Sequence, residues 1–266
     1  MSARQHLTRT ITGLTLGALV LVALYVRGWL LLGLVLAASA MALWEYFGLF
    51  WGTQRVRSRI CAIVLGWGML CLTWIHRPQD ALVFLGAGFV LTALTFLFRW
   101  DVVDSDEPFA PGAIFMSGMA YIPLLLLPAT YLSSPKLLFV LAAVVASDVT
   151  AYFVGTYFGH HKLWPRVSPK KSSEGALGSL AGCVTACTVL GLVFGVAPWY
   201  SYVLLGILLN AFAQLGDLFE SALKRAVNVK DSGNLLPGHG GVLDRIDSLL
   251  FAMPVFAVVD QWYRFF

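Results

Sequence analysis

Asp244 and Asp247 stand three residues apart in "LLPGHGGVLDRIDS" (235–248), a polar stretch that leads into the last apolar segment of the chain. The same spacing recurs in Asp217 and Glu220, within "AQLGDLFESALKR" (213–225). Residues three or four apart share a helix face, and Ser221 and Lys224 continue the face of Asp217. A carboxylate stripe that runs into a basic helix end suits a site where a metal ion meets a phosphate. Mg²⁺ takes oxygen ligands, typically one or two carboxylates, and fills its octahedron with water and phosphate oxygens. Asp217, Asp244 and Asp247 are therefore candidate metal ligands. For Asp244 and Asp247 the rival reading is structural, because carboxylates in a first turn complement the positive end of the helix dipole. Asp148, inside the apolar run "LAAVVASDVTAYFVG" (141–155), is a further candidate. An ionisable group at bilayer depth costs at least about 2.5 kcal/mol unless it is paired, faces a cavity or binds a cation. Asp148, Ala151, Tyr152 and Gly155 share one helical face. That pattern predicts that Asp148 looks into the same cavity as Asp217, with the small residues allowing close approach to the Asp217 helix.

Basic residues supply the complementary half. "SPKKSSEG" (168–175) reads as a turn set by Pro169, then Lys170 and Lys171, then Ser172 or Ser173 capping a helix with Glu174 in its first turn. Lysines just ahead of a helix N-terminus form an anion site. The alternative is that they follow the positive-inside rule or touch anionic lipid. "PGHGG" (237–241) sets Gly238, Gly240 and Gly241 around His239, a loop able to wrap a phosphate with backbone N–H groups. It is not a GxxxxGK[ST] phosphate loop. His160 and His161 have no partner at metal spacing and read as surface residues.

The elements that must hold these residues are set by composition. Of 266 residues, 59% are hydrophobic and only 12% are charged, where soluble domains carry about a quarter charged. The fold class expected is an all-α, polytopic membrane protein. Nine apolar segments are candidates for spans, near 11–26, 28–47, 60–75, 81–98, 113–132, 137–157, 176–197, 199–220 and 249–264. The first reads as a retained span, since no small-x-small cleavage site follows it and Arg27 leads straight into the second. Counting loops alternately places fourteen of the 18 Lys and Arg on one side, which makes that side cytoplasmic, with the N-terminus inside and the C-terminus outside. Both long polar connections, 158–175 and 221–248, fall on that inner side. The organisation expected is one continuous membrane domain, with N-terminal helices over 1–110 and a catalytic region over 111–266. Cys61, Cys71, Cys183 and Cys187 lie in or beside apolar segments without a CxxC pair and read as packing residues.

"SALKRAVNVKDSGNLLPGHGGVLDRID" (221–247) resembles the signature of the phosphatidate cytidylyltransferases, or CDP-diacylglycerol synthases: S, a hydrophobe, KR, four residues, KD, then a small residue, LP, HGG and DRxD. The resemblance extends to "QLGD" (214–217) and to "SDVTAYFVGTYFGHHKLWPRVSPKKSSEG" (147–175), and so covers most of the C-terminal half. The N-terminal half is similar only as a string of hydrophobic spans. Ser172 stands where the family usually has Thr, and Ser173 where a larger apolar residue is common. Neither change removes a charge or a glycine.

The resemblance implies transfer of the cytidylyl group of CTP to phosphatidic acid, giving CDP-diacylglycerol and pyrophosphate for phospholipid synthesis, with Mg²⁺ and room for a second ion. It implies catalytic roles for Asp148, Asp217, Lys224, Arg225 and Asp244. Substrate contacts would come from Ser168, Lys170, Lys171, Lys230, Asp231, His239, Gly240, Gly241 and Arg245, and metal ligation from Asp217, Asp244 and Asp247. The partners implied are CTP, phosphatidic acid and membrane lipids, with no nucleic acid; a homodimer is left open. The location implied is a bacterial inner membrane, with the site on its cytoplasmic side. One alternative is a CTP-dependent transferase or kinase acting on an isoprenoid alcohol or ether lipid. An ion-coupled transporter is the more distant one, motivated by the intramembrane aspartates and opposed by the one-sided polar residues and the lack of an inverted repeat.

Overall fold

The structure is a computed structural model that describes residues 3–76, 78–102, 110–233, 235–236 and 240–266. Its helices are α1 (Ala3–Val26), α2 (Gly28–Trp51), α3 (Val56–Trp74), α4 (Pro78–Val102), α5 (Ala110–Met119), α6 (Pro128–Tyr131), α7 (Ser134–Phe158), α8 (Ser173–Phe194), α9 (Trp199–Ala226) and α10 (Leu243–Trp262). The protein is an all-α polytopic membrane protein. Its strands among the described residues, β1 (Lys162–Trp164) and β2 (Ser168–Ser172), form one antiparallel hairpin. All nine expected apolar segments are helical, but the described residues give six stretches long and apolar enough to cross a membrane: α2, α3, Ala110–Tyr131, α7, α8 and α9. The apolar parts of α1 and α4, Thr10–Val26 and Ala81–Leu97, are shorter. Helix α10 carries Asp244, Arg245, Asp247 and Asp260.

The segment expected as one span over 113–132 lies in the apolar stretch Ala110–Tyr131, within which α5 passes into a wide π turn over Ala120–Leu124 that contains Pro123, and Pro128 opens α6. Proline has no N–H to give the helical ladder, and a wider turn absorbs the loss. The hairpin reverses at Pro165 rather than at Pro169. Val167 N–H donates to the Trp164 carbonyl (3.1 Å), which puts Pro165 at the second position of the turn, where its fixed φ fits. Pro169 lies within β2 of this two-stranded sheet, where a missing donor is tolerated.

The chain packs as two compact units, one of Met1–Tyr131 with Asp231–Leu243 and one of Leu132–Lys230 with Asp244–Phe266. In the first, Leu43 and Phe47 of α2, Met69 and Leu70 of α3, and Met119 and Ile122 are fully buried. Tyr46 shares a 2.7 Å hydrogen bond with Ser117, and Gly66 lets Pro123 settle against α3. In the second, Phe139, Tyr202, Phe256 and Phe265 form an aromatic core. The Tyr202 hydroxyl donates to the Phe265 carbonyl (2.9 Å) and accepts from Ala197 N–H (3.0 Å), tying the C-terminus to the α8–α9 connection. Lys136, early in α7, pairs with Asp260, late in α10, at 2.7 Å.

Candidate functional site

Helices α7 and α8 of the second unit approach closely because glycines line their contact. A β-carbon at Gly175 would lie 3.1 Å from the Ala151 carbonyl and 3.2 Å from Gly155 Cα, and one at Gly178 would meet Val154 at 2.6 Å. The small residues of the Asp148 face were expected to serve contact with α9; they serve contact with α8. The Ser172 side chain accepts from Gly175 N–H (3.1 Å) and so is the cap of α8. Glu174 in the first turn accepts from the backbone N–H groups of His160 and His161 (both 3.2 Å). His161 Nδ1 also lies 2.6 Å from Glu174 Oε1, so this histidine joins the hairpin to α8.

Between α7, α8, α9 and the hairpin lies a cavity of about 320 Å³. Asp148, Tyr152 and Gly155 line it from α7, Lys170 and Lys171 from β2, Ala176 and Ser179 from α8, Gln214 and Asp217 from α9, and Ser248 from α10. Asp148 and Asp217 thus share one cavity although 69 positions separate them. Its deep wall holds a closed polar triad. Ser147 and Ser179 lie 2.6 Å apart, and both donate to Asn210 Oδ1, at 3.1 and 2.7 Å. Three buried polar side chains thereby satisfy one another within apolar helices. Gln214 donates to the Ala176 carbonyl at 3.2 Å, bracing α9 against α8 at the cavity rim.

Charge concentrates at the cavity's α9–α10 side. Lys171 Nζ lies 2.5 Å from Asp217 Oδ2, and Ser221 donates to Asp217 Oδ1 at 3.4 Å. Gly216 lets α10 cross against α9, since a β-carbon there would sit 3.2 Å from the Asp247 carbonyl carbon. That crossing buries Asp247 against Gly216, the chain neighbour of Asp217, while Asp148 and Asp217 line the cavity together. Beside this group Lys224 bridges two carboxylates. It ion-pairs with the fully buried Glu220 one turn earlier and with Asp244 at 2.6 Å. Helix α9 ends directly after these residues. Val229 N–H donates to the Lys224 carbonyl (2.9 Å), Asn228 N–H to the Arg225 carbonyl (3.1 Å), and Asn228 takes a left-handed φ of 57°. This paired bonding with Asn past the helix end satisfies carbonyls that would otherwise be orphaned.

The sequence-derived residues fall into groups. Asp148, Lys170, Lys171 and Asp217 line the cavity; Asp247, Lys224 and Asp244 lie in the adjoining buried charge cluster. Ser168 opens β2 opposite Trp164. Arg225 is exposed and donates to the carbonyls of Val167 (3.4 Å) and Val229 (3.1 Å), tying the hairpin turn to the end of α9. Arg245 and Lys230 are exposed in the same unit, and Asp231 is exposed in the other. Gly240 and Gly241 belong to the first unit, and Gly240 has a φ of 79° that favours glycine. His239 lies outside the described residues. Among the described residues no three His, Cys, Asp or Glu side chains are already gathered as a metal cage. The donor chemistry nevertheless fits Mg²⁺, because Asp217 on α9 and Asp244 and Asp247 on α10 offer hard carboxylate oxygens.

Reading the spacing of residues left several polar side chains without a role: the Ser147–Ser179–Asn210 triad and Gln214 in the second unit and, in the first, Glu45 of α2. Glu45 and Asn210 both carried a signal, since each is a polar side chain inside an apolar run, the criterion that marks Asp148.

A model of the cytidylyltransferase family matches residues 7–262. The phosphatidate cytidylyltransferase of Brucella abortus is 34% identical over 251 residues, which cover 92% of this chain and 89% of that protein. That of Mycobacterium leprae is 40% identical over 200 residues, 67% of this chain and 63% of that protein. That of Bacillus subtilis is 53% identical over 110 residues, 41% of each chain.

Proposed function

Because the chain belongs to the cytidylyltransferase family, we propose that it transfers the cytidylyl group of CTP to phosphatidic acid, releasing pyrophosphate and leaving CDP-diacylglycerol in the membrane. The observation that carries the reading to particular residues is the single cavity in which Lys170 and Lys171 meet Asp148 and Asp217. A phosphate oxygen of phosphatidic acid attacks the α-phosphorus of CTP. The bond from that phosphorus to the bridging oxygen of the β-phosphate breaks, and pyrophosphate leaves with the electron pair. Nucleophile, electrophile and leaving group are all anionic, and a phosphate monoester is largely deprotonated near neutral pH. The task is therefore positioning and charge neutralisation more than proton abstraction.

Lys170 and Lys171 reach the cavity from a hairpin whose backbone is fixed by its own pairing and by the Ser172 cap. Lys171, held at Asp217, can turn its ammonium to an entering phosphate without leaving the cavity wall. Lys224 stays committed to Glu220 and Asp244 and holds Asp244 at the start of α10. Asp217 from α9, with Asp244 and Asp247 from α10, would hold Mg²⁺. When bound, that ion supplies charge neutralisation at the phosphates and polarises the α-phosphorus. Gln214 and the Ser147–Ser179–Asn210 triad fix the helices that form the walls. In this reading the site faces the cytoplasm of a bacterial inner membrane, where CTP is available. The one-sided distribution of fourteen of the 18 Lys and Arg supports that orientation.

Thin-layer analysis of products from labelled CTP tests the reading. The expected outcome is labelled CDP-diacylglycerol with phosphatidic acid and no labelled lipid with an isoprenoid alcohol or an ether-linked acceptor. Labelling of another acceptor alone would replace phosphatidic acid as the substrate.

A further inference from the structure

Glu45 is an acid inside an apolar helix, "MALWEYFGLF" (41–50), and it is only 4% exposed. Its carboxylate accepts Val242 N–H through Oε1 (3.0 Å) and Leu243 N–H through Oε2 (2.8 Å), while Ser232 Oγ lies 3.5 Å from Oε2. All of these partners belong to the first unit, in the returning segment Asp231–Leu243. The fit is tight on two further sides. A β-carbon at Gly233 would fall 2.7 Å from Glu45 Oε1, and one at Gly241 would fall 2.6 Å from Oε2. Leu236 N–H also donates to the Gly240 carbonyl at 3.0 Å.

Three physical points give this contact a direction. Val242 and Leu243 are buried (6% and 0% exposed), so their N–H groups need a partner within the protein. Leu243 is the first residue of α10, so the carboxylate meets helix N–H groups at the positive end of a dipole. The next residue in the chain is Asp244, whose carboxylate pairs with Lys224. A side chain that fixes the 242–243 backbone therefore fixes the residues from which α10 starts.

We infer that Glu45 is a positioning residue for the reaction: its buried carboxylate holds the Val242 and Leu243 backbone and so sets the first turn of α10, the helix that carries Asp244 and Asp247. The inference rests on the proposed role of Asp244 and Asp247. Glutamate suits the task and glutamine does not, because two N–H donors call for two acceptor oxygens and an amide offers one. The glycines at 233 and 241 belong to the same device, since each leaves the space that the carboxylate occupies.

The experiment compares wild type, Glu45→Gln and Gly233→Ala in detergent. Three quantities are read: kcat with CTP and phosphatidic acid, the Mg²⁺ concentration giving half-maximal rate, and hydrogen exchange of the Val242 and Leu243 amides without divalent cation. Loss of a charge-assisted hydrogen bond should accelerate exchange at those two amides by about tenfold, with exchange in α7 and α8 unchanged. It should lower kcat by about tenfold or more and raise the Mg²⁺ midpoint several-fold. A mere loss of folded protein would scale the rate at every Mg²⁺ concentration and leave the midpoint in place. Gly233→Ala keeps the charge and crowds it from the loop side, so it should produce the same three changes even where Glu45→Gln folds poorly. Unaltered exchange at 242 and 243 in both variants would overturn the inference whatever the activity. So would faster exchange with unaltered kcat and Mg²⁺ midpoint. If wild type itself formed no CDP-diacylglycerol, the activity reading would fail, and the exchange data alone would decide whether Glu45 holds the loop.

Discussion

Asp217→Asn and Asp244→Asn keep side-chain volume and remove one charge, so both proteins should accumulate in the membrane while turnover falls by about a hundredfold or more, roughly 2.7 kcal/mol of barrier. Initial rates across an Mg²⁺ titration check this, and normal turnover with ordinary Mg²⁺ dependence in either variant would remove that residue from the metal site. Asp148→Asn should cost about tenfold, because its carboxylate lines the cavity with Asp217 without being one of the expected metal ligands. Lys224 and Glu220 belong to stability as much as to chemistry. Removing Lys224 as Lys224→Met leaves Glu220 and Asp244 facing each other, and breaking a buried ion pair on one side costs on the order of 3–5 kcal/mol. Glu220→Gln leaves Lys224 still paired with Asp244, so its cost should be smaller, about 1–3 kcal/mol. Melting temperatures in detergent should therefore rank wild type above Glu220→Gln and Glu220→Gln above Lys224→Met; the reverse order of the two variants would mean that Glu220, not Lys224, is the hub.

At the scale of elements, glycines decide which helix faces meet. Gly216 brings the α9 backbone onto the Asp247 carbonyl, and a β-carbon there would press on main chain that cannot swing aside. Gly216→Ala is expected to force α10 outward and separate Asp247 from Asp217. Overpacking of this kind costs about 1–3 kcal/mol, while the loss in kcat should exceed what the folded fraction explains. Melting curves and kinetics on the same preparation check the split, and a proportional loss of both would reduce Gly216 to a packing residue. The hairpin is a second case of local necessity. Its reversal follows Pro165, its end is the Ser172 cap, and Arg225 ties its turn to α9, so the two cavity lysines sit on one of the few extended segments of the chain.

For the whole molecule, the orientation prediction is that the hairpin end of α7 faces the cytoplasm and its Ser134 end faces the opposite side. The helix has 25 residues, a length of about 37 Å, enough to separate the two ends by a bilayer. In a variant with the native cysteines replaced, Ser134→Cys should react with an impermeant maleimide in intact cells. Leu163→Cys should react only after lysis. Labelling of both, or the opposite pattern, would invert the topology argued from Lys and Arg. Removal of divalent cations should abolish turnover while leaving melting of the first unit, whose core holds Leu43, Phe47, Met69 and Met119, unchanged.

Membrane character, the helical segments and the family were determined by the sequence alone, because hydropathy and the 221–247 pattern are local properties of the chain. The pairing of particular atoms was not local. That Asp148 joins Asp217 could be anticipated from a helical face, yet the small residues beside it pack on α8, where Gly175 lies against Ala151 and Gly155. Pro123 inside an expected span is a sequence signal, but the π turn that accommodates it depends on what Pro123 packs against. Asp217 meeting Lys171, and Lys224 choosing both Glu220 and Asp244, required the helices to be in place. Most of all, Glu45 lies 197 residues before the Val242 N–H it accepts. A one-dimensional reading registers an acid in an apolar helix, whereas only the tertiary structure shows which buried donors oblige it to be there.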